Sequence, residues 1–171
     1  MTQSRSRTDQ LVAWLDDAHA MESGLIGILE NHASHFGDAM PNAARRLQRH
    51  VVETQQHVQR LNECLRLMNA TASGIKSAAS SMMGSVEGVT TAMFRDTLVK
   101  DALLDYASEQ FEVACYTALV NAATELGHPD VARLCRENLE EDRAMADWLL
   151  QQLPAVVSQE FIHAAPARAQ R

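Results

Sequence analysis

Three interruptions divide this chain, and their unequal lengths constrain its fold more than any other feature. The first is short: His35-Phe36-Gly37-Asp38 followed by Pro41. The third is equally short, Gly127-His128-Pro129-Asp130. Glycine suits the left-handed close of one helix and proline the first turn of the next, so both read as tight helix-to-helix turns. The second is a stretch of about 25 residues, Asn69 to Phe94, rich in Ala, Ser, Gly and Met. Structureless loops of that length are rare inside a compact domain, but a crossover between two helical hairpins accounts for one. Ile75, Ala78, Met82 and Met83 suggest a short amphipathic helix within it, broken by Gly84 and Gly88.

Between the interruptions the apolar residues recur at helical spacing. Helix A is expected from Thr8 or Asp9, both suitable caps, to Ser34–Phe36, with Leu11, Leu15, Leu25, Ile26 and Leu29 inside. Helix B is expected from Asn42 to about Met68, on a stripe of Leu47, Val51, Thr54, Val58, Leu61, Leu65 and Met68. Helix C is expected over Asp96–Leu126, with Leu98, Ala102, Tyr106, Tyr116 and Val120 facing inward. Helix D should run from Pro129 to Leu153 and stop before Pro154, with Val131, Leu134, Asn138, Glu141, Met145 and Trp148 inside. Glu140 and Asp142 are expected in solvent, and Val156–Phe161 as a short packing segment. Few aromatic residues and abundant Ala, Leu, Met, Gln and Glu favour helix over sheet. One bundle over residues 8–161 with flexible termini, 1–7 and 162–171, follows.

Carboxylates break the inner stripes. Glu22 interrupts the apolar face of helix A, with His19 one turn earlier. A buried carboxylate is costly unless paired or bound to metal. In His50-Val51-Val52-Glu53-Thr54-Gln55-Gln56-His57 the two histidines point within about 20° of each other, two turns apart, with Glu53 between them. Glu109 and Glu112 share one side of helix C between Tyr106 and Tyr116, and Glu141 interrupts helix D. Each residue alone reads equally as a solvated group at the rim of a core. Together they place a glutamate from each helix, plus histidines, at one level. Four carboxylates balance the charge of two divalent ions, and imidazole with carboxylate suits iron and manganese. A four-helix bundle with one long crossover and such residues has the ferritin-like plan, running up-down-down-up.

Ala18-His19-Ala20-Met21-Glu22, His50-x-x-Glu53-Thr54-x-x-His57, Glu109-Gln110-Phe111-Glu112-Val113-Ala114-Cys115-Tyr116 and Glu141-x-x-x-Met145-Ala146-x-Trp148-Leu149 resemble the ferritin-like stress proteins of the YciE/YciF type. The resemblance spans about residues 10–161 and is most specific in helices C and D, including Leu126-Gly127-His128. It implies a bacterial, usually dimeric bundle linked to stress responses, with a dinuclear centre. By position, the ligands would be Glu22, His50, Glu53, His57, Glu109, Glu112 and Glu141. The chain departs from the pattern at Gln110, where the family often has His. It departs again at Ala144, where the wider ferritin-like plan has the histidine of Glu-x-x-His.

Two readings follow. The first is a metalloprotein binding two iron or manganese ions, a centre able to oxidise Fe(II) with O₂ or peroxide. The second is a non-enzymatic helical interaction protein whose polar core fixes register. Histidines in phase with Glu53 discriminate, because a register network has no need of them. A homodimer is expected from the resemblance and from Met82, Met83 and Met93 in the crossover. The net charge of −7 argues against a nucleic-acid surface. No apolar run of membrane-spanning length and no signal segment appear, and the three cysteines lack C-x-x-C spacing, so a reducing cytoplasm is expected.

Overall fold

A computed structural model describes residues 6–73 and 97–164. They form four long helices: α1 (Arg7–Phe36), α2 (Pro41–Leu67), α3 (Leu98–Glu125) and α4 (Pro129–Ala164). The expected crossover helix, the crossover methionines Met82, Met83 and Met93, and the extreme termini lie outside the described residues.

Local chemistry sets most helix ends. Ser6 caps α1 in place of the expected Thr8 or Asp9: its Oγ accepts from the Asp9 amide, and Asp9 accepts in turn from the Ser6 amide. Thr97 caps α3 by accepting from the Lys100 amide. Gly127, at φ +77°, closes α3, and the following His128 amide donates back to the Ala123 carbonyl. Asn69, at φ +57°, does the same for α2, with the Ala70 amide donating to Leu65. Pro129 then opens α4.

Pro154 does not stop α4, contrary to expectation. The helix passes through it and continues to Ala164. Proline removes one amide, leaving the Leu150 carbonyl without its helical donor. Leu150 and Pro154 both lie on the exposed face, where the freed carbonyl is open to solvent. Beyond them Val156 is buried, and Glu160 accepts from the Leu98 amide, which ties the last turns of α4 to the start of α3.

α1 packs on α2, and α3 on α4, as two antiparallel hairpins. α1 also packs beside α3, and α2 beside α4, whereas α2 and α3 stand diagonally across the bundle and meet through long side chains such as His50 and Glu109. Pairings across these faces run in opposite chain directions: Glu22 with Tyr116 and His32 with Asp105, then His57 with Glu141 and Cys64 with Val131. The order is therefore up-down-down-up. The end of α2 and the start of α3 therefore lie at opposite ends of the bundle, as the short, long, short spacing requires.

Two apolar cores fill the bundle. One gathers Leu11, Leu15, Leu61, Leu65, Leu119 and Cys135. The other gathers Leu25, Leu29, Phe36, Leu47, Met145 and Leu149. Between them lies a layer that is not apolar at all.

Candidate metal centre

That layer is built from one or two turns of every helix. α1 supplies Glu22, and α2 supplies His50, Thr54 and His57. α3 supplies Glu109, Glu112 and Tyr116, and α4 supplies Asn138 and Asp142. All nine are buried. The phase of each helix explains why. On α2 the buried residues include Leu47, His50, Val51, Thr54, His57, Leu61 and Cys64, so the histidines sit inside the apolar stripe rather than along its edge. On α4 the buried ridge runs Val131, Cys135, Asn138, Asp142, Met145 and Leu149. This ridge steps by four from Asn138, where the sequence reading stepped by three. Asp142, expected in solvent, is 0% exposed, and Glu141 is left at the rim with its side chain 32% exposed.

The two imidazoles are held in the same manner. His50 Nε2 lies 2.8 Å from Glu109 Oε1, while His50 Nδ1 lies 2.8 Å from Glu53 Oε2. His57 Nδ1 lies 3.3 Å from Glu22 and 3.4 Å from Asp142, while His57 Nε2 lies 2.8 Å from Glu141 Oε2. Each ring thus turns one nitrogen to the centre and the other to an outer carboxylate. Each outer carboxylate is fixed by an arginine. Arg46 donates to Glu53 at 3.0 Å. Arg60 donates to both oxygens of Glu141, at 2.8 and 2.9 Å, and to Asn138 at 2.9 Å. Asn138 Nδ2 donates to Tyr116 Oη, which donates to Glu22 at 2.5 Å.

Electrostatics divide these groups sharply. Burial would raise Glu141, but His57 and Arg60 outweigh it and hold its carboxyl down to about 2. Burial would likewise raise Glu53, but His50 and Arg46 outweigh it and hold the carboxyl below its usual range. In the centre the signs reverse. Burial, then the charges of Glu22, Glu109 and Asp142, push Glu112 well up. Burial and Glu22 do the same to Asp142, against the pull of His57. Burial raises Glu109 despite His50 beside it. Burial would lower the histidines, yet Glu109 and Glu53 lift His50 to about 9, and Glu141, Glu22 and Asp142 lift His57 to about 10. Without a cation the centre keeps protons in place of one.

Four central oxygens have no hydrogen-bond partner among the described residues: Glu22 Oε2, Glu109 Oε2 and both Asp142 oxygens. Buried polar atoms are rarely left so. Two sets of ligand atoms, Glu22 with His57 and Asp142, and His50 with Glu109 and Asp142, lie within 4.8 Å of one another. They share Asp142, whose two oxygens can serve one set each. The donor set, imidazole and carboxylate, fits iron or manganese.

The residues match a family described as a domain of unknown function, DUF892, over 6–162. The chain belongs to the DUF892 family. The resemblance to proteins of the YciE/YciF type is borne out: the Escherichia coli stress protein YciF is 22% identical, with a TM-score of 0.76 over 91% of this chain and 99% of that one. A Xanthomonas campestris protein of known crystal structure is 32% identical, with a TM-score of 0.78 over 92% of this chain and 97% of that one. A Desulfovibrio desulfuricans bacterioferritin, described by its diiron site, is 15% identical, with a TM-score of 0.72 over 98% and 99%. This DUF892 chain therefore has the ferritin-like fold, and its carboxylate and histidine groups are compatible with a metal site.

Of the residues singled out in the sequence, the fold brings Glu22, His50, His57, Glu109 and Glu112 together. It holds Glu53 and Glu141 behind the histidines, against Arg46 and Arg60. His19 is half-buried and joins none of these contacts. Asp142 was missed because it sits in the run Glu140-Glu141-Asp142-Arg143, which reads as a solvated face. The available signal was its spacing, four after Asn138 and three before Met145. Gln110 and Ala144, the departures from the family pattern, are both exposed and lie off the centre.

Proposed function

We propose that this protein is a metalloprotein that binds two divalent iron or manganese ions in the central layer. Glu22, His57 and Asp142 would hold one ion, and His50, Glu109 and Asp142 the other, with Glu112 supplying a further carboxylate between Glu22 and Glu109. Glu53 and Glu141 would orient the imidazoles rather than bind metal, as partners behind metal-bound histidines commonly do. One observation carries this reading: four buried carboxylate oxygens without partners face two imidazoles whose remote nitrogens are already engaged.

Bound there, an iron pair supplies redox chemistry toward O₂ or peroxide. The chain's own residues set the conditions. Glu22, Glu109, Glu112 and Asp142, all ionised, carry four negative charges that match two divalent cations. Arg46 and Arg60 neutralise Glu53 and Glu141, so the rim adds no excess. Apolar cores on both sides keep bulk water out. Cation uptake must expel the protons that His50, His57, Glu112 and Asp142 hold, so affinity should rise with pH. Activity as a dimer in the cytoplasm, within a stress response, completes the proposal. The likeness to the stress protein YciF supports the stress role alone, and light scattering at micromolar concentration checks the dimer.

Anaerobic titration with Fe(II) and with Mn(II), followed by calorimetry and a pH indicator, tests the metal reading. Two ions bound per chain, with protons released, support it. Negligible uptake of both would leave the other reading, a register-fixing network. That reading has its own support in the 2.8 Å pairings of each histidine with carboxylates.

A further inference from the structure

A second polar cluster lies one step from the centre, between the last turns of α1 and the first turns of α3. His35, with its side chain half exposed, places Nδ1 2.5 Å from Asp101 Oδ2. Asp101 Oδ1 lies 3.6 Å from His32 Nε2. His32 Nδ1 lies 2.6 Å from Asp105 Oδ1. Asp105 is buried, and its other oxygen has no hydrogen-bond partner among the described residues. One turn further along α3 is Glu109, and the charges that act on Asp105 include His50 across the bundle. Imidazole and carboxylate thus alternate from solvent to Asp105, one helical turn from Glu109.

From this arrangement we infer that His35, Asp101, His32 and Asp105 form a proton relay between solvent and the His50–Glu109 side of the centre. The inference rests on the proposed metal reading only for its purpose, the discharge of protons when cations enter.

The geometry is that of a wire rather than a cage. Asp101 and Asp105 address opposite nitrogens of His32, so the four groups do not converge on one point as the central ligands do. His32 is the pivotal residue. It can accept a proton at Nδ1 from Asp105 while releasing one from Nε2 to Asp101, which passes it to His35 and water. A small rotation of the His32 ring closes the 3.6 Å link to hydrogen-bond length. The unpartnered Asp105 oxygen is the inner terminus. A purely structural pair would not leave a buried carboxylate oxygen unsatisfied. Burial would lower His32, but Asp105 and Asp101 outweigh it and Lys100, leaving the ring raised and ready to carry a proton. The charged and titratable groups around His32 are Lys100, Asp101 and Asp105 on α3, with His35 one turn on along α1, and those that bear on Asp105 from the centre are Glu109 on α3 and His50 on α2. His57 meets Glu141, held by Arg60, just as His50 Nδ1 meets Glu53, held by Arg46, but among the described residues no alternating chain of imidazole and carboxylate leads on from the His57 side.

The test is solvent exchange of the ring N–H protons in metal-free, ¹⁵N-histidine-labelled full-length protein. In His32→Gln and Asp105→Asn, exchange at His50 Nε2, the nitrogen that faces Glu109, should slow at least tenfold, while exchange at His50 Nδ1, which faces the part-exposed Glu53, and at His57 stays within twofold of wild type. His35→Ala, at a half-exposed position that leaves the packing intact, should slow His50 Nε2 about threefold, with recovery on adding free imidazole. Unchanged His50 Nε2 exchange in His35→Ala and His32→Gln would overturn the relay, as would equal slowing at His50 Nε2 and His57. In a second arm, Mn(II) is mixed rapidly with the protein beside a pH indicator. The same variants should keep the wild-type Mn(II) stoichiometry and release protons more slowly. If wild type takes up no Mn(II), the metal reading fails by itself, and the exchange rates still decide the relay. Mn(II) uptake lowered by one ion in His32→Gln would instead mark the cluster as a cation site and refute the relay.

Discussion

Glu141 and Asp142 are consecutive on α4, and their surroundings have little in common. Glu141 sits at the rim, held by two hydrogen bonds from Arg60 and one contact with His57, and its carboxyl is pulled down to about 2. Asp142 is fully buried, has no hydrogen-bond partner on either oxygen among the described residues, and is pushed well up. The same division separates Glu53, tied to Arg46, from Glu109 and Glu112 in the centre. A protein stabilised by its polar layer would satisfy its most buried carboxylates first. This one satisfies the outer pair and leaves the inner group in want of positive charge, which is the signature of a site kept for a cation.

The largest expected effect tests that division directly. Asp142→Asn should abolish uptake at both sets of ligands, because both share Asp142, a loss of at least about a thousandfold in affinity. The same change should stabilise the metal-free protein by about 1–3 kcal/mol, since one of several crowded carboxylates is removed. Calorimetric titration and thermal melts of the same preparation check both halves. Loss of stability along with uptake would point to a plain packing role.

Glu141→Gln should act in the other direction on stability. Arg60 and His57 lose a charged partner, at a cost of about 1–2 kcal/mol at this partly exposed position. Metal affinity should fall about 10–100-fold, the usual range for a group that orients a metal-bound histidine. Glu53→Gln should do the same to His50. A loss as complete as that of Asp142→Asn would instead make the outer glutamate a ligand.

Acidity separates the two classes again. His50 and His57, raised to about 9 and about 10, bind protons more tightly folded than unfolded. Their contribution is complete below the unfolded value near 6.5 and is lost as pH rises through about 9–10. The raised Glu112 and Asp142 push the same way: the folded state holds protons that the unfolded chain gives up above about pH 4. The depressed Glu141 pushes oppositely, its contribution disappearing as pH falls from about 4.5 through about 2. The metal-free protein should therefore be most stable in mildly acidic solution and weaken steadily from pH 6.5 to 10. Manganese uptake should strengthen over that same interval. Denaturant titrations across the range, with and without Mn(II), check the crossing. The smallest effect expected is none: Gln110→His adds an imidazole on the exposed side of α3 and should leave uptake unchanged.

The fold was legible from breakers and periodicity because backbone rules act locally. Gly127-His128-Pro129 and the long second interruption imply two hairpins and a diagonal crossover without any tertiary knowledge. Pro154 misled, because whether a proline ends a helix depends on what receives the freed carbonyl, and here an exposed face does. The candidate centre was legible at Glu22, Glu109 and Glu112, carboxylates on inner faces, and at His50 and His57, two imidazoles in phase beside an apolar stripe. On α4 two phases compete over adjacent acids, and only the packing of Asn138, Met145 and Leu149 selects Asp142. Asp101, Asp105, His32 and His35 escaped notice because polar residues near helix ends read as surface. Their pairing exists only across α1 and α3.

The most direct test is the stoichiometry of Mn(II) or Fe(II) binding by wild type and by Asp142→Asn, measured anaerobically with proton release recorded alongside. The account predicts two ions per wild-type chain, bound with release of protons, and none by Asp142→Asn at the same concentrations. No uptake by wild type, or equal uptake by both proteins, would contradict it.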